Sequence, residues 1–190
     1  MILDLLLSIT GGYLLGSIPF PYLLGRLRGA DLFKIGSRNP GAANLFRQVS
    51  KPLGVLATLL DIGKGSAAVL LGLWLGLPEV LTLLAGAAAM VGHWYSVFLK
   101  FRGGEALATV MGVGLGVMPL AALTAIAIGL ILLRFIRSTG HAAGLAWPVF
   151  VAVSILEGAP WHVILGATAL AIIVTLRSNL RARRARRSAP

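Results

Sequence analysis

The chain contains no cysteine, which excludes disulfides and thiolate metal centres. Acidic residues are scarce as well: six Asp and Glu stand against 17 Lys and Arg, with three His. No group of His and carboxylates has the spacing of a metal site, so no metal and no other cofactor is expected. No Walker loop and no Gly-x-Ser-x-Gly elbow is present, which removes two common routes to phosphate and ester chemistry. Charge of either sign is sparse. Only 12% of residues are charged, 57% are hydrophobic and the mean hydropathy is +0.89, far from an ordinary soluble domain. A net charge of +11 would suggest a nucleic-acid partner in a soluble protein. In so apolar a chain the positive-inside bias accounts for it, and no nucleic-acid partner is expected. No basic region precedes the first apolar run, which therefore reads as a span and not as a cleaved signal.

What is present is a series of apolar runs, at roughly 3–25, 53–77, 80–99, 106–118, 119–136, 143–157 and 161–176. The fourth and fifth meet at Met118-Pro119, and the sixth contains Pro148. Charge alternates between the connections. Arg26, Arg28, Lys34, Arg38, Arg47 and Lys51 follow the first run. Lys100 and Arg102 follow the third, and Arg134 and Arg137 close the fifth. Six further Arg follow the seventh, while the intervening connections carry only Asp4, Glu79 and Glu157. The sequence thus predicts an all-α integral membrane protein with seven transmembrane helices, N-terminus outside and C-terminus cytoplasmic. Residues 1–190 read as a single membrane domain with a basic cytoplasmic tail from about Arg177, solvated or bound to lipid headgroups. All three polar internal segments (34–51, 100–109 and 137–144) then fall on the cytoplasmic side.

The most polar of these is Gly36-Ser37-Arg38-Asn39-Pro40-Gly41-Ala42-Ala43-Asn44-Leu45-Phe46-Arg47. Gly and Asn accept left-handed backbone, Gly admits a ligand close to the main chain, and Ser, Asn and Arg supply donors for an anion. It reads as a re-entrant or interfacial loop that holds a phosphate, against the plainer reading of a turn between helices. Asp61 and Lys64 lie inside the second apolar run, three apart and on one helix face. Either Asp61 orients a loop donor while Lys64 meets an anion, or the two form a structural ion pair. His93 sits near the inner end of the third run and reads as a base, an anion donor or a satisfied interfacial histidine. Gly103-Gly104 precede an apolar run, as in a loop feeding a helix N-terminus, but Glu105 follows them and would repel a bound phosphate. His141 reads as a surface residue. Trp74, Trp94, Trp147 and Trp161 read as an interfacial belt, and Asn179 is the polar residue past the last run that can reach inward.

Taken together, these motifs resemble the PlsY family of membrane acyl-phosphate:glycerol-3-phosphate acyltransferases over nearly the whole chain. The resemblance runs through Gly16-Ser17-Ile18-Pro19, Gly36-Ser37-x-Asn39-x-Gly41-Ala42-x-Asn44-x-x-Arg47, Leu60-Asp61-x-x-Lys64-Gly65, Gly92-His93 and Phe101-Arg102-Gly103-Gly104. It implies that the 1-hydroxyl of glycerol 3-phosphate attacks a fatty acyl phosphate, giving lysophosphatidic acid and phosphate for phospholipid synthesis. No metal and no acyl-CoA take part. The substrates and membrane lipids are then the partners, and a monomer is expected. The His-x-x-x-x-Asp dyad of another large acyltransferase class is absent. The resemblance implies Ser37, Arg47, Asp61 and His93 as catalytic residues, with Asp61 as a brace. Gly36, Ser37, Asn39, Gly41, Asn44, Arg47, Lys64, Gly103, Gly104 and Asn179 then bind substrate. With no evident side-chain base, a substrate phosphate oxygen is expected to take the proton.

The chain departs from the family at three places. The family's Gly-Gly-Lys-Gly segment reads Gly103-Gly104-Glu105-Ala106, so Glu105 replaces a lysine. The family's serine-rich third motif reads Ser138-Thr139-Gly140-His141-Ala142-Ala143, and a family histidine near the C-terminus is Leu176. A re-purposed, non-catalytic relative that binds a phosphorylated lipid or metabolite is the alternative these changes leave open.

Overall fold

A computed structural model describes residues 1–136 and 138–187, without the side chains of Thr139 and of residues 182–187. Arg137, one of the charges behind the predicted orientation, lies outside the described residues. The helices in chain order are α1 (Ile2–Ser17), α2 (Phe20–Leu27), α3 (Ala42–Gln48), α4 (Lys51–Trp74), α5 (Glu79–Trp94), a 3-10 turn (Val97–Leu99), α6 (Leu107–Val117), α7 (Pro119–Leu132), α8 (Thr139–Leu156) and α9 (Trp161–Arg187). Among the described residues there is no strand. Among the described residues, four helical runs are long and apolar enough to cross a bilayer: Ile2–Leu27, Lys51–Trp74, Glu79–Leu99 and Trp161–Arg181. The apolar helices Leu107–Val117, Pro119–Leu132 and Gly140–Leu156 are shorter.

Local chemistry explains where the helices stop. The first apolar run, read as one continuous span, is two helices. Ile18 is extended, at φ −60° and ψ 115°, because the ring of Pro19 disfavours helical backbone in the residue before it. The break between α6 and α7 falls at Met118, ahead of Pro119, where the same constraint applies. Ser50 caps α4 by accepting from the Leu53 N–H, with Pro52 in the first turn, the arrangement favoured at a helix start. Two expectations are corrected. The polar island is not all loop, because its second half forms α3. The start of the basic tail is not all free of the protein, because Arg177 and Arg181 of α9 hydrogen-bond back onto it.

Small residues set the packing. Gly12 and Gly16, one turn apart on α1, lie so close to α5 that a Cβ on either would run into the backbone of Ala85 and Ala89. This is a small-xxx-small crossing, which allows close backbone approach where lipid removes any hydrophobic drive between helices. On the other side α4 crosses α6, and Ser66 Oγ donates to the Gly112 carbonyl at 2.8 Å. Helices α7 and α8 pair, and α9 closes the bundle against α5, α6 and α8. The largest core cluster joins α6, α7, α8 and α9 through Val113, Met118, Ala121, Phe150, Val163 and Ile164.

Candidate active site

The polar loop ahead of α3 is held by one side chain. Asn44 is 2% exposed. Its Nδ2 donates to the carbonyls of Leu32 (3.2 Å), Ile35 (3.1 Å) and Asn39 (3.0 Å), and its Oδ1 accepts from the Ser37 N–H at 3.1 Å. A loop without regular structure must find partners for its backbone groups, and Asn44 supplies four of them. Gly36, at φ +53°, passes so close to the Asn44 carboxamide that a Cβ there would collide with it. Arg38 adopts the same left-handed backbone at φ 54°, which costs energy in a residue with a Cβ. The carboxamide of Asn44 is therefore spent on shaping the loop. Ser37 and Arg47 are exposed, Arg47 in the last turn of α3.

Beneath the loop lies a buried charged cluster. Lys64 Nζ is 2.8 Å from Asp61 Oδ1, with side chains 2% and 3% exposed, and it donates to the Ile18 carbonyl at 2.9 Å. Lys64 thus ties α4 to the α1–α2 break. His93 Nδ1 lies 3.8 Å from the same Asp61 oxygen and 3.3 Å from Thr109 Oγ1. The ring's far nitrogen faces Gly104, where a Cβ would run into it. The Gly104 N–H donates to the His93 carbonyl at 3.1 Å. The sequence offered no partner for this histidine, because Asp61, Thr109 and Gly104 reach it from different segments.

Glu105 sits where a phosphate-repelling charge was expected, and two neutral donors fix its carboxylate in position while leaving its charge in place. Ser178 Oγ donates to Oε2 at 2.6 Å and Asn39 Nδ2 approaches Oε1 at 3.4 Å. Its carbonyl accepts from Trp94 Nε1 at 3.0 Å. One turn beyond Ser178, Arg181 Nη1 donates to the carbonyls of Gly104 (3.0 Å) and Gly103 (3.4 Å). The Arg177 guanidinium lies 4.4 Å over the Trp94 ring and 4.9 Å over that of Tyr95, a cation–π arrangement. Ser178, Arg181 and Thr109 were missed from sequence; both α9 residues were hidden in a tail that reads as basic and solvated. Trp94 and Trp147 are corrected as well. Trp94 is buried, and Trp147 stacks on Phe150 and donates to Thr168. Trp74, Trp161 and His141 are exposed. Asn179 faces Gly140 at the start of α8.

A cavity of about 490 Å³ connects these parts. One end is polar, lined by Asn39, Gly41, Thr58, Asp61, His93 and Glu105. Asn39 Oδ1 is buried there with no partner among the described residues. The rest runs between α6, α7, α8 and α9 over an almost wholly apolar wall, about half of it Ala and Gly. The polar end gathers Asn39, Gly41, Asp61 and His93 from the predicted site. Lys64, Gly103 and Gly104 pack against His93 in an adjoining crevice, while Gly36, Ser37, Asn44, Arg47 and Asn179 do not line the cavity.

An all-helical membrane protein with an apolar shaft opening on a buried charged end is built for an amphiphile with a long hydrocarbon part and a small polar head. The chain belongs to the glycerol-3-phosphate acyltransferase family, whose pattern it matches over residues 6–186. It is 42% identical over 147 residues to a glycerol-3-phosphate acyltransferase of Geotalea daltonii, covering 76% of each chain. It is 38% identical over 187 residues to that of Geobacter sulfurreducens, covering 95% of this chain and 94% of the other. The crystal structure of PlsY (YgiH), an integral membrane glycerol 3-phosphate acyltransferase, superposes in its glycerol 3-phosphate form with a TM-score of 0.83. That pair is 31% identical, with 95% of this chain and 90% of that one covered. The lysophosphatidic acid form gives a TM-score of 0.82 at 30% identity.

Proposed function

We propose that this chain transfers a fatty acyl group from an acyl phosphate to the 1-hydroxyl of glycerol 3-phosphate, the first acylation of phospholipid synthesis. The observation that carries the reading is the 490 Å³ cavity, apolar along its shaft and charged at one end, in a chain of this family. The hydroxyl oxygen attacks the acyl carbonyl carbon, the bond from that carbon to the phosphate oxygen breaks, and inorganic phosphate leaves. The proton passes to a phosphate oxygen of a substrate. The donor already carries its leaving group, so the protein contributes mainly position and charge. Arg47 and Ser37 meet phosphate at the loop surface, where a guanidinium forms paired bonds to phosphate oxygens. Asn44 and Gly36 hold that loop in shape, and Asn39 Oδ1 offers an acceptor to a substrate hydroxyl. Asp61 braces His93 at the polar end and Lys64 braces Asp61. Gly103 and Gly104 form the adjoining wall, and Asn179 stands outside the cavity, beside Gly140.

Phosphate release by purified protein with palmitoyl phosphate and glycerol 3-phosphate tests the proposal. Release that needs both substrates and falls about tenfold or more in Arg47→Ala is the expected result. Saturable substrate binding with no release from wild type would instead identify a re-purposed binder.

The same reading sets the protein in the cell membrane as a monomer, a single domain over residues 1–190. It has seven spans, the N-terminus outside and the C-terminus and site facing the cytoplasm. The chain has no cysteine, so single-cysteine labelling is clean. Lys34→Cys is expected to react with an impermeant maleimide only from the cytoplasmic side, and Glu157→Cys only from outside. The reverse pattern would overturn the orientation.

A further inference from the structure

We infer that Phe150 is the floor of the acyl shaft and that the Phe150–Gly114 pair limits the length of the acyl chain. The inference rests on the acyl-transfer reading of the cavity. At its deep end three helices converge on one ring. A Cβ built on Gly114 of α6 would stand 3.3 Å from Phe150 Cε2 and 3.7 Å from the Ala122 Cβ of α7, and all three residues line the cavity. A side chain at Gly114 would therefore press on the ring and narrow the last part of the shaft.

Phe150 is held in place by a neighbour that also lines the cavity. It is 1% exposed, and its ring stacks on Trp147 with centroids 4.3 Å apart and planes at 25°. Trp147 is itself anchored to α9, its Nε1 donating to Thr168 Oγ1 at 3.2 Å. Around the ring lies the buried core of Val113, Met118, Val163 and Ile164, none of which lines the cavity. Ala106 and Gly114, both at the cavity, are eight residues apart on the α6 side, and Ala142 and Phe150 are eight apart on α8. Each interval corresponds to a depth of about 12 Å. Methylene groups that fit above the ring leave water or lipid for a packed site. Those that do not fit must fold back or force the stack open.

The test measures kcat/KM for decanoyl, myristoyl and stearoyl phosphates with glycerol 3-phosphate held constant. Phe150→Ala lowers the floor and should raise the long-to-short preference about tenfold or more, equivalent to two added methylenes. Gly114→Ala raises the floor by one methyl and should lower that preference about fourfold. KM for glycerol 3-phosphate should not move in either variant, which separates a length gauge from general damage to the site. Gly114→Ala keeps both aromatic rings and asks Phe150 to shift by only a few tenths of an ångström, so it decides the matter by itself where Phe150→Ala fails to fold. Activity in wild type with an unchanged length profile in Gly114→Ala overturns the gauge and leaves the transfer reading standing. Wild type that releases no phosphate from any of the three donors overturns the transfer reading, and the gauge with it.

Discussion

Lys64→Met is expected to lose both stability and acyl transfer. Lys64 is the partner of Asp61 at 2.8 Å, and both side chains are within a few per cent of complete burial. Removing one member of such a pair strands the other charge, which costs about 3–5 kcal/mol. The Ile18 carbonyl, in the break between α1 and α2, also loses its donor. The break itself is imposed by Pro19, so the backbone cannot re-form the missing bonds. Thermal unfolding in detergent should show the loss as a midpoint well below wild type. The double variant Asp61→Leu/Lys64→Met separates fold from chemistry. With both charges gone, stability should largely return. Phosphate release should not, because Asp61 lines the polar end of the cavity and faces His93 at 3.8 Å. Full activity in the double variant would show that the pair serves only the fold.

Asn44→Ala should have the next largest effect. It removes the donors for three carbonyls and the acceptor for the Ser37 N–H. Each buried group left without a partner costs about 1–3 kcal/mol. Only part of the loop is buried, so a total loss on the order of 3 kcal/mol is expected. Asn44→Asp should not rescue it. An aspartate still accepts from Ser37 but turns an oxygen toward three carbonyl oxygens. Limited proteolysis offers a second readout, with cleavage expected within residues 31–41 in both variants and not in wild type. An Asn44→Ala protein as resistant and as stable as wild type would show that the loop is held by its packing alone.

Much of this was legible in the chain itself. Hydropathy marked each apolar stretch that becomes a helix, and proline marked the break at Met118, while the one at Ile18 lay inside a run read as continuous. Both are local effects, set by transfer free energy and by the fixed geometry of one ring. The polar motif, the Asp61–Lys64 spacing and His93 also stood out, because ionisable groups in an apolar segment are costly and need a reason. Four features were decided only by the tertiary structure. Helix α3 has just seven residues and few intrinsic means to persist. It is held by packing on α4, where Gly54 lets the Phe46 backbone approach closely. Glu105 stands out in sequence as a reversal of site charge, but only the fold brings Ser178 and Asn39 to its carboxylate, from 73 and 66 positions away. Trp94 and Trp147 looked interfacial because aromatic residues near span ends usually are, and only helix packing turned them inward. The cavity left the faintest trace in sequence. Its shaft is volume that alanine and glycine leave unfilled between four helices, and in an apolar chain those residues look like lipid-compatible filler. A void is a property of how surfaces meet, so it exists only once α6, α7, α8 and α9 are packed around it.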